Sequence, residues 1–91
     1  MYKIKQYSYE QAKKLNVSIK PSTKKDKKID VFKNGHLIAS VGKIGYFDFP
    51  TYIKEKGLKI ATEKRKLYKL RHNKDRNKIN SNGFYADKIL W

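Results

Sequence analysis

The segment YKIKQY alternates apolar and charged side chains, and a period of two predicts a short strand with Tyr2 and Ile4 on one face. In SYEQAKKLN, Ser8 and Gln11 stand at capping-box spacing, which predicts a helix of about two turns from Tyr9 to Leu15. VSIKPS then offers a brief extended piece with Val17 and Ile19 on one side, ended by Pro21. The clearest local signal is KIDVFKNGHLIASVG, two β-prone runs either side of Asn34-Gly35. That dipeptide suits a type I′ turn, because both central residues need positive φ. A two-residue loop sets Lys33 opposite His36, Phe32 opposite Leu37 and Val31 opposite Ile38. One face of the hairpin then carries Ile29, Val31 and Ile38, the other Phe32, Leu37, Ala39 and Val41, so packing on both sides is expected.

GKIGYFDFPTYIKEKG turns at Gly42 and Gly45. Proline favours the first helical turn and glycine the left-handed stop, so Pro50 to Lys56 reads as a short helix ended by Gly57. Leu58 to His72 lacks Pro and Gly and is dominated by helix formers, which predicts the longest helix. NKDRNKINSNG reads as a polar linker, and SNGFYADKILW starts with cap-type residues before an apolar turn or two. There is no internal repeat. The expected architecture is one small basic α+β domain over residues 1–91. It has a small antiparallel sheet centred on the 28–42 hairpin, one longer helix at 58–72 covering it, and short flanking helices. Phe84, Ile89, Leu90 and Trp91 close the core.

Charge changes this picture. Against 8 Asp and Glu stand 23 Lys and Arg, a net charge of +15 on 91 residues, while hydrophobic residues at 38% and aromatics at 13% keep the chain out of the disordered class. Such an excess repels itself unless anions screen it, and a merely soluble surface would mix signs. Nucleic acid is the leading partner class, because neutralised phosphates release counterions; an anionic membrane surface competes. STKKDKKI, four lysines with a single acid, reads as an exposed loop over about 21–28.

On a helical wheel starting at Ile60, Ala61, Leu67 and Tyr68 fall within an arc of about 120°. Lys64 and Arg71 fall inside that arc, whereas Arg65, Lys66 and Lys69 occupy the far side and Leu70 lies off the stripe. A buried unpaired charge costs several kcal/mol, so something must answer Lys64 and Arg71. Asp87 and Asp48 are the acids set among aromatics. The favoured pair is Arg71 with Asp87, since a guanidinium fork binds a carboxylate bidentately and would dock the 81–91 segment. Snorkelling of the aliphatic stems is the other possibility, above all for Lys64. The outward cations Arg65, Lys66, Lys69, Lys74, Arg76 and Lys78 form the densest positive patch and are, with Arg71, the candidate contact surface. Phosphate contact needs cations within reach along one side rather than a set spacing, so sequence-nonspecific binding is expected.

Other chemistries find little support. The chain has no cysteine, which excludes disulfides and thiolate metal sites. His36 sits beside a hairpin tip, and His72 suits a helix C-terminus, where its cation meets the dipole. No catalytic residue, metal site or cofactor is expected, no small-molecule substrate either, and the protein is read as a non-enzyme. A nuclease would have only Asp48, Glu55 and Glu63 as metal carboxylates. The seven tyrosines and four phenylalanines could stack on single-stranded bases, but a chain this short needs most of them for its core. No apolar run suits a signal peptide or a membrane span, so a soluble intracellular protein is expected.

Taken together, KRKLYKLRHNKD and GFYADKILW, preceded by the hairpin and IGYFDFPTYIKEKG, resemble small lysine-rich proteins of large nucleocytoplasmic DNA viruses. Residues 28 to 91 carry the likeness, through Gly45, Tyr46, Pro50, Tyr52, Arg65, Tyr68, Arg71, His72, Gly83, Tyr85, Ala86, Asp87 and Trp91, with Phe84 and Tyr85 as the aromatic pair. The resemblance implies a viral origin, in host cytoplasm or virion, and supplies no mechanism. It suits a genome-associated nucleic-acid-binding protein, with DNA ahead of RNA. The alternative is a minor capsid or matrix-like virion component meeting acidic protein or membrane. Oligomeric state is left open.

Overall fold

The computed structural model describes residues 2–91. Its elements run α1 (Gln6–Lys14), β1 (Ser18–Pro21), β2 (Lys27–Lys33), β3 (His36–Lys43), α2 (Phe49–Lys56), α3 (Leu58–Arg71), α4 (Asn73–Arg76) and α5 (Asn82–Leu90). The three strands form one antiparallel sheet in the order β1-β2-β3, and the fold class is the expected α+β.

Asn34 and Gly35 adopt φ of 53° and 79°, the two positive values a type I′ turn demands. Lys33 pairs His36 and Phe32 pairs Leu37 as expected, but Val31 pairs Ala39 rather than Ile38. A bulge between Val31 and Phe32 takes up the extra residue. It gathers Ile29, Val31, Ala39 and Val41 onto one buried face and leaves Leu37 and Ile38 exposed. One apolar face thus replaces the two expected, because a core this small covers the sheet once.

That face is covered by α1 and α5, whose Ala12, Tyr85, Ile89 and Leu90 join the strand residues in the core. The helix expected over the sheet, α3, instead packs mainly against α2. YKIKQY is not a strand. Residues 2–5 carry no regular structure, α1 begins at Gln6, and Lys5 rather than Ser8 is its N-cap. Ser8 is fully buried and donates to the carbonyl of Ile89 at 2.9 Å. Ser8 and Ala12 lie one turn apart, and their small side chains let α1 approach α5. That helical stripe outweighs the short alternating pattern.

The second face of the sheet carries a buried polar cluster. Asp30 accepts from the hydroxyls of Ser22 at 2.6 Å and Ser40 at 2.7 Å. Burial opposes its ionisation, but these bonds, the Thr23 amide and the nearby Lys24 charge outweigh burial and hold the carboxyl below its usual range. In the expected 21–28 loop only Thr23 to Lys27 are exposed; Ser22 and Lys28 are buried. Lys28 lies on β2 and donates to Asp48 at 3.0 Å, and Tyr2 donates to the same oxygen at 2.6 Å. Asp48 also caps α2, accepting from the Thr51 amide at 3.0 Å. Burial again works against the charged form, and the bonds from Thr51 and Tyr2 with the Lys28 cation overcome it, so the Asp48 pKa is lowered. Helix α2 ends at Gly57, φ 91°, as its sequence predicts.

Candidate polyanion-binding surface

Helix α3 turns an unusual side inward. Its inward stripe is fully buried Ala61 followed by half-buried Arg65, Tyr68, Lys69 and His72, at positions that recur every three or four residues. Ile60, Leu67 and Leu70 are 39%, 52% and 68% exposed. The wheel that places Leu67 inside and Arg65 and Lys69 outside is therefore rotated away from the observed helix. The cause is what the helix packs on, a surface of rings and a carboxylate rather than aliphatic side chains.

The Arg65 guanidinium carbon lies 3.4 Å from the centroid of the Phe49 ring, and one terminal nitrogen donates to the Tyr7 hydroxyl at 3.4 Å. Arginine over an aromatic face is attracted by the ring quadrupole, which compensates for its partial burial. Tyr68 stacks between Trp91 and His72, with both centroid distances 4.3 Å. Burial and the nearby carboxylates of Asp87 and Asp75 push the Tyr68 phenol up to about 12. His72 therefore does more than cap a helix: its ring closes the stack, and its amide donates to the Tyr68 carbonyl at 3.0 Å.

Asp87 does receive a cation, but not Arg71. Lys69 donates to its Oδ1 at 2.6 Å, and Lys88 lies 3.9 Å from Oδ2. Arg71 is exposed and makes no ion pair among the described residues. Two residues of helix separate Lys69 from Arg71 by about 160° around the axis, so only one of them can face α5. Lys64 is exposed as well.

Two clefts flank this packing. One, of about 480 Å³, lies where α1, α3 and α5 meet and is lined by Lys14, Arg65, Lys69 and Lys88, with Tyr7 and Trp91 as walls. The other, of about 350 Å³, runs along α3 into α4 and is lined by Arg65, Lys66, Lys69 and Arg76. Arg65 and Lys69 belong to both. Asp87 is the one acid lining either, and Lys69 already answers it. Six cations thus line the two clefts, against one carboxylate.

Of the candidate contact residues, the structure gathers Arg65, Lys66, Lys69 and Arg76 on these clefts, while Arg71, Lys74 and Lys78 are exposed elsewhere. Three of the gathered four also serve the fold, Arg65 through Phe49, Lys69 through Asp87, and Arg76 by donating to the Lys69 carbonyl at 3.2 Å. Lys14 and Lys88 were missed because they lie far away in sequence. Their only sequence signal is a cation in the last turn of α1 and of α5. Asp48, the first of the possible metal carboxylates, is committed to Thr51, Tyr2 and Lys28. No helix among the described residues is long and apolar enough to cross a membrane. Comparison with known proteins finds no matching family model, no matching curated protein and no matching solved structure.

Proposed function

We propose that the protein binds polyanions, nucleic acid first, without reading sequence. The observation that carries this is the convergence of Lys14, Arg65, Lys66, Lys69, Arg76 and Lys88 on two adjoining clefts whose single acid is already paired. Cations spread along a groove neutralise successive phosphates and release counterions, with no need of base-edge contacts. Arg71, Lys74 and Lys78, exposed nearby in sequence, extend the field that attracts the strand. The resemblance to lysine-rich viral proteins makes a packaged genome the natural ligand, with DNA ahead of RNA.

The test is fluorescence anisotropy with unrelated DNA duplexes, single strands and RNA across a salt series. Duplexes of different sequence should bind alike, and neutralising about six phosphates should cost roughly a thousand-fold in affinity between about 50 and 200 mM salt. Charge reversal at exposed Lys66 and Lys14 should weaken every ligand and flatten that salt slope. Failure of all nucleic acids to bind at low salt would falsify the proposal.

One observation favours a second reading. Leu67 and Leu70 are more than half exposed on α3, with Lys66 and Arg71 on the same helix. An apolar ridge with flanking cations suits an acidic protein or an anionic membrane, as in a minor capsid or matrix-like virion component. Retention in genome-free particles, or on anionic vesicles, that survives salt and is lost in a Leu67→Ser, Leu70→Ser double variant would support it over the first.

A further inference from the structure

A third cleft, of about 780 Å³, shares no lining residue with the two just described. It lies between the N-terminal segment at Tyr2 and Lys5, the β1–β2 turn, and the loop from β3 to α2. That loop is tied down at its base, where the Ile44 amide donates to the Asp26 carbonyl at 3.0 Å and the Tyr46 amide to Lys43 at 3.3 Å. Lys28 adds a bond to the Tyr46 carbonyl. Gly45, at φ 97°, makes the turn between them. The result is a held loop that keeps Ile44, Tyr46 and Phe47 out of the core, 44%, 66% and 40% exposed. In a protein whose core is short of large side chains, three on one loop are a substantial apolar surface left uncovered.

Cations surround it. Lys5, Lys24 and Lys27 line the cleft, and Asp26 is the one lining acid, since Asp48 sits beneath, paired with Lys28. The ammonium of Lys5 lies 4.9 Å from the Tyr2 ring centroid and that of Lys43 lies 5.5 Å from the Tyr46 ring. Flat apolar rings beside ammonium groups complement a ligand that is itself a flat base beside a phosphate. A duplex hides its base faces in the stack, whereas a single strand presents them.

We infer that this cleft binds a nucleotide unit of single-stranded nucleic acid, its base stacked on Tyr46 and its phosphates met by Lys5, Lys24 and Lys27. The inference rests on the polyanion reading and adds to it a preference for unpaired bases. Tyr46→Ala is a clean probe, because the backbone carbonyl held by Lys28 remains and the lost ring is mostly exposed.

The experiment compares labelled oligothymidylate of about twelve nucleotides with an abasic deoxyribose-phosphate strand of equal length and equal charge, at one salt concentration. The wild-type protein should prefer the base-bearing strand by about ten-fold. Tyr46→Ala should remove that preference and leave abasic binding unchanged, and Tyr46→Phe should keep it. Lys66→Glu should weaken both strands and leave their ratio intact. Equal binding of the two strands by the wild type, or an unchanged ratio in Tyr46→Ala, overturns the inference while the polyanion reading stands. Absence of binding to either strand and to duplex overturns both.

Discussion

Asp87 is 1% exposed, and its partner Lys69 keeps about a third of its side chain in water. The pair joins α3 to α5 and does so in a setting where the carboxylate, not the amine, bears most of the desolvation. Removing the amine leaves the buried carboxylate only Lys88, 3.9 Å away, whereas removing Arg71, which touches no carboxylate, strands nothing. Lys69→Ala should therefore destabilise the fold by roughly 1–3 kcal/mol, discounted from the fully buried case by the exposure of the lysine. Arg71→Ala should stay within about 0.5 kcal/mol. Urea denaturation of the two variants against wild type measures both, and equal losses would restore Arg71 to a structural role. That Asp87 would take a basic partner from the long helix was legible from its place among aromatics. Which residue supplied it was not, because the choice depends on how α3 is rotated against α5.

At the scale of elements, α4 and α5 meet at a glycine. A Cβ built on Gly83 would lie 2.6 Å from the Asp75 Cβ and 2.8 Å from the Asp75 carbonyl oxygen, closer than atoms pack, so the α4 backbone would have to move. Ser81 helps hold the junction, donating to the carbonyls of Lys78 at 2.6 Å and Asp75 at 3.1 Å and accepting from the Phe84 amide. Gly83→Ala should cost about 1–3 kcal/mol despite alanine's better helix propensity. The thermal midpoint should fall accordingly. A midpoint that rises instead would mean the contact relaxes freely. The cap at Ser81 was readable from residue type, as were the Asn34-Gly35 turn and the first-turn Pro50 and Gly57 stop of α2, because each is a backbone preference local to a few residues. The bulge beside Phe32 and the inward face of α3 were not, since each is set by the surface it meets: the α1–α5 layer for the bulge, and Phe49, Trp91 and Asp87 for the helix.

For the whole molecule, the excess of +15 is held on a domain with a radius of gyration of 12.4 Å, well within two Debye lengths at low salt. Self-repulsion should outweigh the few ion pairs, so added salt should raise the thermal midpoint by several degrees while it weakens nucleic-acid binding. Thermal unfolding across a salt series reads the first effect, and a midpoint that falls with salt would show the ion pairs to dominate. The opposite signs of the two responses follow from one cause, the screening of like charges in the free protein and of unlike charges in the complex. Sequence alone determined the fold class, the hairpin and its turn, the bounds of α2 and α3, and the positive excess, because these depend on local backbone preference and on summed charge. Only the tertiary structure decided which cations lie within the fold at Lys28, Arg65 and Lys69, which converge on the clefts, and which rings stay outside the core. Those outcomes depend on the faces that distant segments present to one another, and α1, α5 and the loop before α2 are brought together by a core that no single segment encodes.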